Sequence, residues 1–185
     1  MVIINLRERF RAETRRAHDA SDRAFARFDL TDPDGVRGFL AAHRDAVTSL
    51  RKAEGSGQLA PALDAALAAL DADLGALGHD APAAPPAGPA ADDPVARRYV
   101  WLASRLGTRM LTRHWRDATD PAVRAADAYL GQDPDRGEWR LFSTEAEDMP
   151  ARGPDPDRIL RAANDWFAIF ETTAHEHHRK VRSDA

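Results

Sequence analysis

Apolar residues along this chain recur at spacings of three and four, the period of an amphipathic helix. The alternation of Val, Ile, Thr and aromatic residues that a strand needs never runs to a useful length. Carboxylates followed by proline punctuate the helical runs. Asp32-Pro33, Asp93-Pro94, Asp120-Pro121 and Asp133-Pro134 each put an N-cap acceptor before a proline at the first helical position. The pattern predicts helices over 3–28, 33–53, 59–77, 94–116, 120–130, 134–147 and 155–181. The stretch Ala81-Pro82-Ala83-Ala84-Pro85-Pro86-Ala87-Gly88-Pro89 is predicted to be an extended surface loop, because proline removes donors and clashes with the preceding turn. Neither half of the chain has an obvious core of its own. The prediction is therefore one all-α domain over 1–185, a bundle of about seven to eight helices with a Pro/Ala-rich loop near 79–93.

Composition narrows the function classes. The 26 basic and 30 acidic side chains leave a formal net charge of −4, which argues against a nucleic-acid partner. Cysteine is absent, so disulfides, thiolate metal sites and cysteine nucleophiles are excluded. No apolar run reaches the roughly 20 residues that span a bilayer, and the N-terminus turns charged after four residues with no signal-peptide core. A soluble cytoplasmic protein with no membrane partner is expected. Alanine makes up roughly a fifth of the chain and favours helix.

Two helices carry the candidate chemistry. In the first, Leu6, Phe10, Ala17, Ala24 and Phe28 share a narrow sector, with Phe25 at its edge. His18 lies on the rim of that stripe, one turn after Thr14. Two readings stay open: a half-buried, hydrogen-bonded boundary histidine, or an axial metal ligand with small neighbours Thr14, Ala17 and Ser21 leaving room for something flat. One histidine does not make a zinc site, which takes three or four protein ligands; a haem needs only one. In the helix over 94–116, Val95, Tyr99, Leu102, Ala103, Leu106, Gly107, Met110 and His114 share a face. A mid-helix glycine costs up to about 1 kcal/mol relative to alanine, so a close backbone approach is expected at Gly107. Ala103 and Gly107, four apart, form a flat patch that suits either a helix crossing or a planar ligand.

Several segments, in order, resemble the haem oxygenases, particularly the short bacterial kind associated with phytochromes. Phe10-Arg11-Ala12-Glu13-Thr14-Arg15-Arg16-Ala17-His18 is similar to the family's Leu-Arg-x-x-Thr-x-x-x-His segment, and Gly38-Phe39-Leu40-Ala41-Ala42-His43 to its second-helix Phe-Leu-x-x-His stretch. Asp73-Leu74-Gly75-Ala76-Leu77-Gly78 resembles Asp-Leu-x-x-Leu-Gly, and Tyr99-Val100-Trp101-Leu102-Ala103-Ser104-Arg105-Leu106-Gly107-Thr108 resembles Tyr-Val-Leu-Glu-Gly-Ser-x-Leu-Gly-Gly. Trp139-Arg140-Leu141-Phe142 and the run from Ala163 to Phe170 also fit.

The resemblance implies an enzyme that cleaves haem, both cofactor and substrate, to biliverdin, carbon monoxide and ferrous iron. Dioxygen and an external electron-donor protein would supply the oxidant and the electrons, and a phytochrome is the implied biliverdin acceptor. His18 would be the metal ligand, with Glu13 or Asp22 as the partner of its second ring nitrogen. Thr14 would stand beside it, and Arg11 and, as second choice, Arg140 would face the haem propionates. Ala103, Ser104, Gly107 and Thr108 would form the distal, catalytic patch. Three positions depart from the family pattern: Leu102 replaces Glu, and Ala103 and Thr108 replace Gly. They motivate an alternative, a haem-binding or haem-sensing protein of the same fold without turnover. A helical scaffold that binds no haem is the third reading.

Elsewhere, His175-Glu176-His177-His178 lacks the His-Glu-x-x-His spacing of zinc proteases. His43 and His114 are expected on inward faces, His79 in the loop, and Trp101, Trp115, Trp139 and Trp166 in packing roles.

Overall fold

Among the residues that the computed structural model describes, 5–133 and 135–184, aspartates open the helices much as the sequence predicts. Asp32 accepts from Gly35 N–H to start α3 (Pro33–Glu54), Asp93 from Val95 N–H to start α5 (Pro94–Arg116), and Asp120 from Ala122 and Val123 N–H to start α6 (Pro121–Ala125). The cap of α7 (Arg136–Asp148) is Asp135, which accepts from Gly137 and Glu138 N–H, in place of the expected Asp133. Pro134, expected at the first position of that helix, lies outside the described residues. The first four residues of the expected helix over 3–28 include two, Ile3 and Ile4, that also lie outside them.

The described residues form eight helices and no strand. Besides those named, they are α1 (Leu6–Glu13), α2 (Arg15–Phe25), α4 (Ala60–Ala76) and α8 (Pro154–Asp184). The fold is all-α, as expected, but the long first helix is two helices. The break is at Thr14, whose β-branched side chain donates its hydroxyl back to Phe10 C=O at 2.6 Å, a bond that competes with the helical ladder and bends it. The expected helix over 120–130 stops at Ala125, because the buried Asp73 carboxylate of α4 takes the Ala128 and Tyr129 N–H groups at 2.8 Å each. Helix α4 ends in the reciprocal glycine cap: Gly78, at φ +67°, lets His79 N–H reach Leu74 C=O at 2.9 Å and its own N–H reach Gly75 C=O.

Helix α8 is the spine. Helices α2, α3 and α5 all pack on it, and α4 covers the far side of α3. Its inward stripe, Ile159, Leu160, Ala163, Trp166, Phe167, Phe170 and Ala174, meets Phe25, Phe28, Phe39, Leu40, Val47 and Leu50 in one continuous core. The sector foreseen on the first helix is inside, with Leu6, Phe10, Ala24, Phe25 and Phe28 buried. The Pro/Ala-rich loop is irregular, as expected, and lies pinned on the core: Arg44 donates to Ala81 C=O, Ser49 to Pro86 C=O, and Asp45 accepts from Ala84 N–H. The ring of Trp166 lies under Gly88.

His43 sits at the centre of the aromatic core, 4.1 Å from the Phe25 ring and 4.3 Å from that of Phe39. Its Nδ1 meets Phe39 C=O at 3.2 Å. Burial drives its pKa from 6.5 down to about 3. The unfolded chain protonates this ring below about pH 6.5, whereas the folded chain holds it neutral. The stability it contributes is therefore complete above about pH 6.5 and is lost as the pH falls toward about 3, at up to ~1.4 kcal/mol per pH unit. Denaturant midpoints of wild type and His43→Leu measured at falling pH are expected to show a shallower acid slope in the variant.

Candidate functional site

The bend at Thr14 leaves its hydroxyl fully buried and 3.0 Å from the Tyr99 hydroxyl of α5. The neighbouring Phe10 ring stacks on Tyr99, with centroids 4.0 Å apart. Eight residues further along α2, Asp22 meets α5 again: a Cβ built on Gly107 would lie 3.0 Å from Asp22 Oδ1. Gly107 is likewise eight residues beyond Tyr99. The two helices therefore run side by side in the same direction, joined at two levels about 12 Å apart. His18 stands midway on α2, and Ala103 stands midway on α5. The register puts the imidazole level with the small patch. The close backbone approach expected at Gly107 is not what the fold has: a Cβ there would meet only the end of the Asp22 side chain, and α2 and α5 touch little along their backbones.

The His18 side chain is 29% exposed, a rim position as the pattern predicts. Its Nδ1 faces Asp22 Oδ2 at 3.4 Å and Asp19 Oδ1 at 3.9 Å. Of the two carboxylates considered for that role, Asp22 takes it; Glu13 is held by Arg9 at 2.7 and 2.8 Å. Burial pushes the Asp22 carboxyl above its ordinary range, against the pull of His18. The other side of the imidazole meets Phe167 of α8 edge-on, with centroids 5.1 Å apart, and the same ring contacts Tyr99 edge-on at 5.9 Å. Phe167 thus backs both walls of the seam. No periodicity on α2 or α5 could show this, although the Ala163-to-Phe170 run contains it.

The other expected site residues divide. Ala103 is buried and Gly107 half-buried on the seam face. Ser104 and Thr108 turn away from it. Ser104 donates to Trp101 C=O at 2.8 Å, and Thr108 donates to Ser104 C=O at 2.9 Å while facing His43 Nε2 at 3.5 Å. The methyl and hydroxyl of Thr108 therefore point into the core between α3 and α5 and do not crowd the seam. Arg11 and Arg140 are exposed. Both stand at the Thr14–Tyr99 end: Arg11 is one turn before Thr14, and Arg140 follows Trp139, whose ring is 6.1 Å from that of Tyr99. The face foreseen on α5 holds only as far as Gly107. Met110 is 61% exposed and His114 is exposed, because the C-terminal half of α5 turns its Arg105, Thr108 and Thr112 side inward.

The seam offers one potential metal ligand, the His18 imidazole. An imidazole has one nitrogen engaged by a carboxylate, and a cradle that a Cβ would fill lies beside it. As it stands the seam is closed by the Asp22 carboxylate and the Phe167 ring. Two surface hollows of about 390 and 360 Å³ lie elsewhere: one between α3, α4 and the Pro/Ala-rich loop, lined by Arg44, Asp71 and His79, the other over Arg15, Arg16 and Arg23. The described residues contain no group of three His, Asp or Glu placed to hold a metal. The late histidines diverge: His175 faces Glu171 at 3.5 Å, His177 binds Asp45 at 2.8 Å, and His178 lies edge-on to Phe28. No helix of the described residues is long and apolar enough to cross a membrane.

Gly107→Ala separates fold from site. The atom it meets is the end of a flexible carboxylate, so the helix gains up to about 1 kcal/mol from alanine's propensity while the cradle is filled. A thermal melt is expected to show an unchanged or higher midpoint, and a hemin titration a weaker affinity by about fivefold or more, equivalent to ~1 kcal/mol. Compared with known proteins, the chain matches no family model, no curated protein and no solved structure.

Proposed function

We propose that this chain binds haem in the α2–α5 seam and cleaves it to biliverdin, carbon monoxide and ferrous iron, with dioxygen and an external electron-donor protein. The observation that carries the reading is the register of the seam, with Thr14 on Tyr99, Asp22 on Gly107, and His18 level with Ala103 between them. The ordered sequence resemblance supports it independently.

The bound haem supplies an iron that activates dioxygen and a macrocycle that is itself the substrate. His18 would offer its Nε2 to the iron, and the Asp22 carboxylate, 3.4 Å from Nδ1, would orient the ring. Ala103 and Gly107 keep side-chain bulk off the opposite wall. Phe167 presses on the imidazole edge and excludes water from that side. Arg11 and Arg140 provide positive charge for the propionates at the Thr14–Tyr99 end. Entry requires the Asp22 carboxylate to leave Gly107. Helices α2 and α5 lean mainly on α8 and little on each other, so few contacts oppose that opening. A phytochrome remains the proposed acceptor of the product.

One observation favours the second reading, haem binding without turnover. The Ser104 and Thr108 hydroxyls are both spent on carbonyl groups of α5 itself, which leaves neither as a donor toward ligand bound in the seam.

Titration of the full chain with hemin is expected to give a saturable Soret band that His18→Ala weakens at least about tenfold, the loss of ~1.4 kcal/mol or more. Reductant, air and catalase are then added. Biliverdin absorbance supports the oxygenase, a stable Soret band supports binding alone, and absence of His18-dependent hemin binding rejects both.

A further inference from the structure

Behind the seam, on the opposite side of α5, Arg105 is more than nine-tenths buried. It has no carboxylate within ion-pair distance among the described residues. Asp133 reaches Arg109, at 3.9 Å, and Asp73 is engaged by the Ala128 and Tyr129 N–H groups. The guanidinium lies 4.6 Å over the Tyr129 ring and 5.8 Å over that of Trp101. Its one side-chain hydrogen bond is a 3.3 Å contact to the amide oxygen of the exposed Gln132. Two polar atoms here are sealed from solvent with no partner: Arg105 Nη1 and the hydroxyl of Tyr129, a residue that is itself fully buried.

An isolated charge in the interior is costly enough that proteins pair it or neutralise it, and arginine does not deprotonate. His43, whose ring is 5.7 Å from Tyr129, brings no negative charge. The positive field of Arg105 reaches it and adds to the depression of its pKa. The cluster therefore has a cation with one unpartnered N–H and a phenolic donor, and lacks a negative partner for the two.

We propose that Arg105 and Tyr129 hold a small monovalent anion, of the size of chloride or formate, between α3, α5 and the 126–132 segment. Arg105 Nη1 and the Tyr129 hydroxyl donate to it. Gln132 is the cover through which it enters, since its amide is held only by the long contact to Arg105 and by a bond to Ala128 C=O. The site is separate from the seam, so the test needs no haem.

Chloride is titrated into the full chain at constant ionic strength, balanced with gluconate, while the melting temperature and the chloride NMR linewidth are followed. The expected result is a saturable rise in Tm of roughly 2–5 °C, with line broadening that formate reverses by competition. Tyr129→Phe is expected to weaken chloride binding about tenfold, and Arg105→Gln to abolish it. A wild type whose Tm and linewidth ignore both anions overturns the proposal and leaves the cluster to water. So does a folded Arg105→Gln that responds as the wild type does. Should Arg105→Gln fail to fold, the wild-type titration and Tyr129→Phe decide: an unaltered response in Tyr129→Phe also overturns it.

Discussion

The Thr14 hydroxyl is the hinge on which the geometry turns. It sits in the core, so it must find partners. It takes Phe10 C=O within its own helix and the Tyr99 hydroxyl across the bundle. The first bond breaks the N-terminal helix in two, and the second ties the break to α5. Burial raises the Tyr99 hydroxyl's pKa, so it stays a phenol in that contact. That tie fixes one level of the relation of α2 to α5, and the packing of both helices on α8 sets the rest, so that His18, Ala103, Asp22 and Gly107 take their places with few contacts between the two helices.

Charge is handled very differently on the two sides of the bundle. Around the Pro/Ala-rich loop and its exit, Glu54, Arg97, Asp92 and the Trp166 Nε1 group form a chain of ion pairs and hydrogen bonds, and Arg158 pairs with the buried Asp93. Asp45 is similarly satisfied. Burial raises its carboxyl, but His177, Ala84 N–H and Arg44 outweigh that and hold it below the usual range. Such networks repay desolvation only when every member has a partner. Arg44 and Arg98 each leave Nε unpartnered yet pair with Asp71 and Glu145, whereas Arg105 pairs with no carboxylate among the described residues; the two carboxylates nearest His18 are also unequally committed, one raised by burial and shared between an imidazole and a glycine.

Much of this was legible in the sequence, for reasons that can be named. Asp-Pro pairs report helix starts because capping and proline geometry are local, and three of the four did so. Rim placement of His18 and burial of Phe10, Ala24 and Phe28 followed from period alone. What failed was non-local. The end of α6 is set by Asp73, over fifty residues earlier in the chain. The outward turn of α5 beyond Gly107 is set by what α3 and the 126–132 segment offer Arg105 and Thr108. A shared face on a helical wheel says which side chains are neighbours, and nothing about where along the helix the neighbouring element stops. Phe167 escaped notice for the same reason: its role arises from touching two helices at once.

Helix α8 runs for 31 residues without interruption and carries Phe167 near its middle. That one aromatic ring rests on His18 on one side and on Tyr99 on the other. Its girth therefore gauges how far apart the two walls can stand, much as a shim sets a clearance. A change of size at this one position would reset the spacing of the two walls while leaving both the imidazole and the bare stretch opposite it as they are.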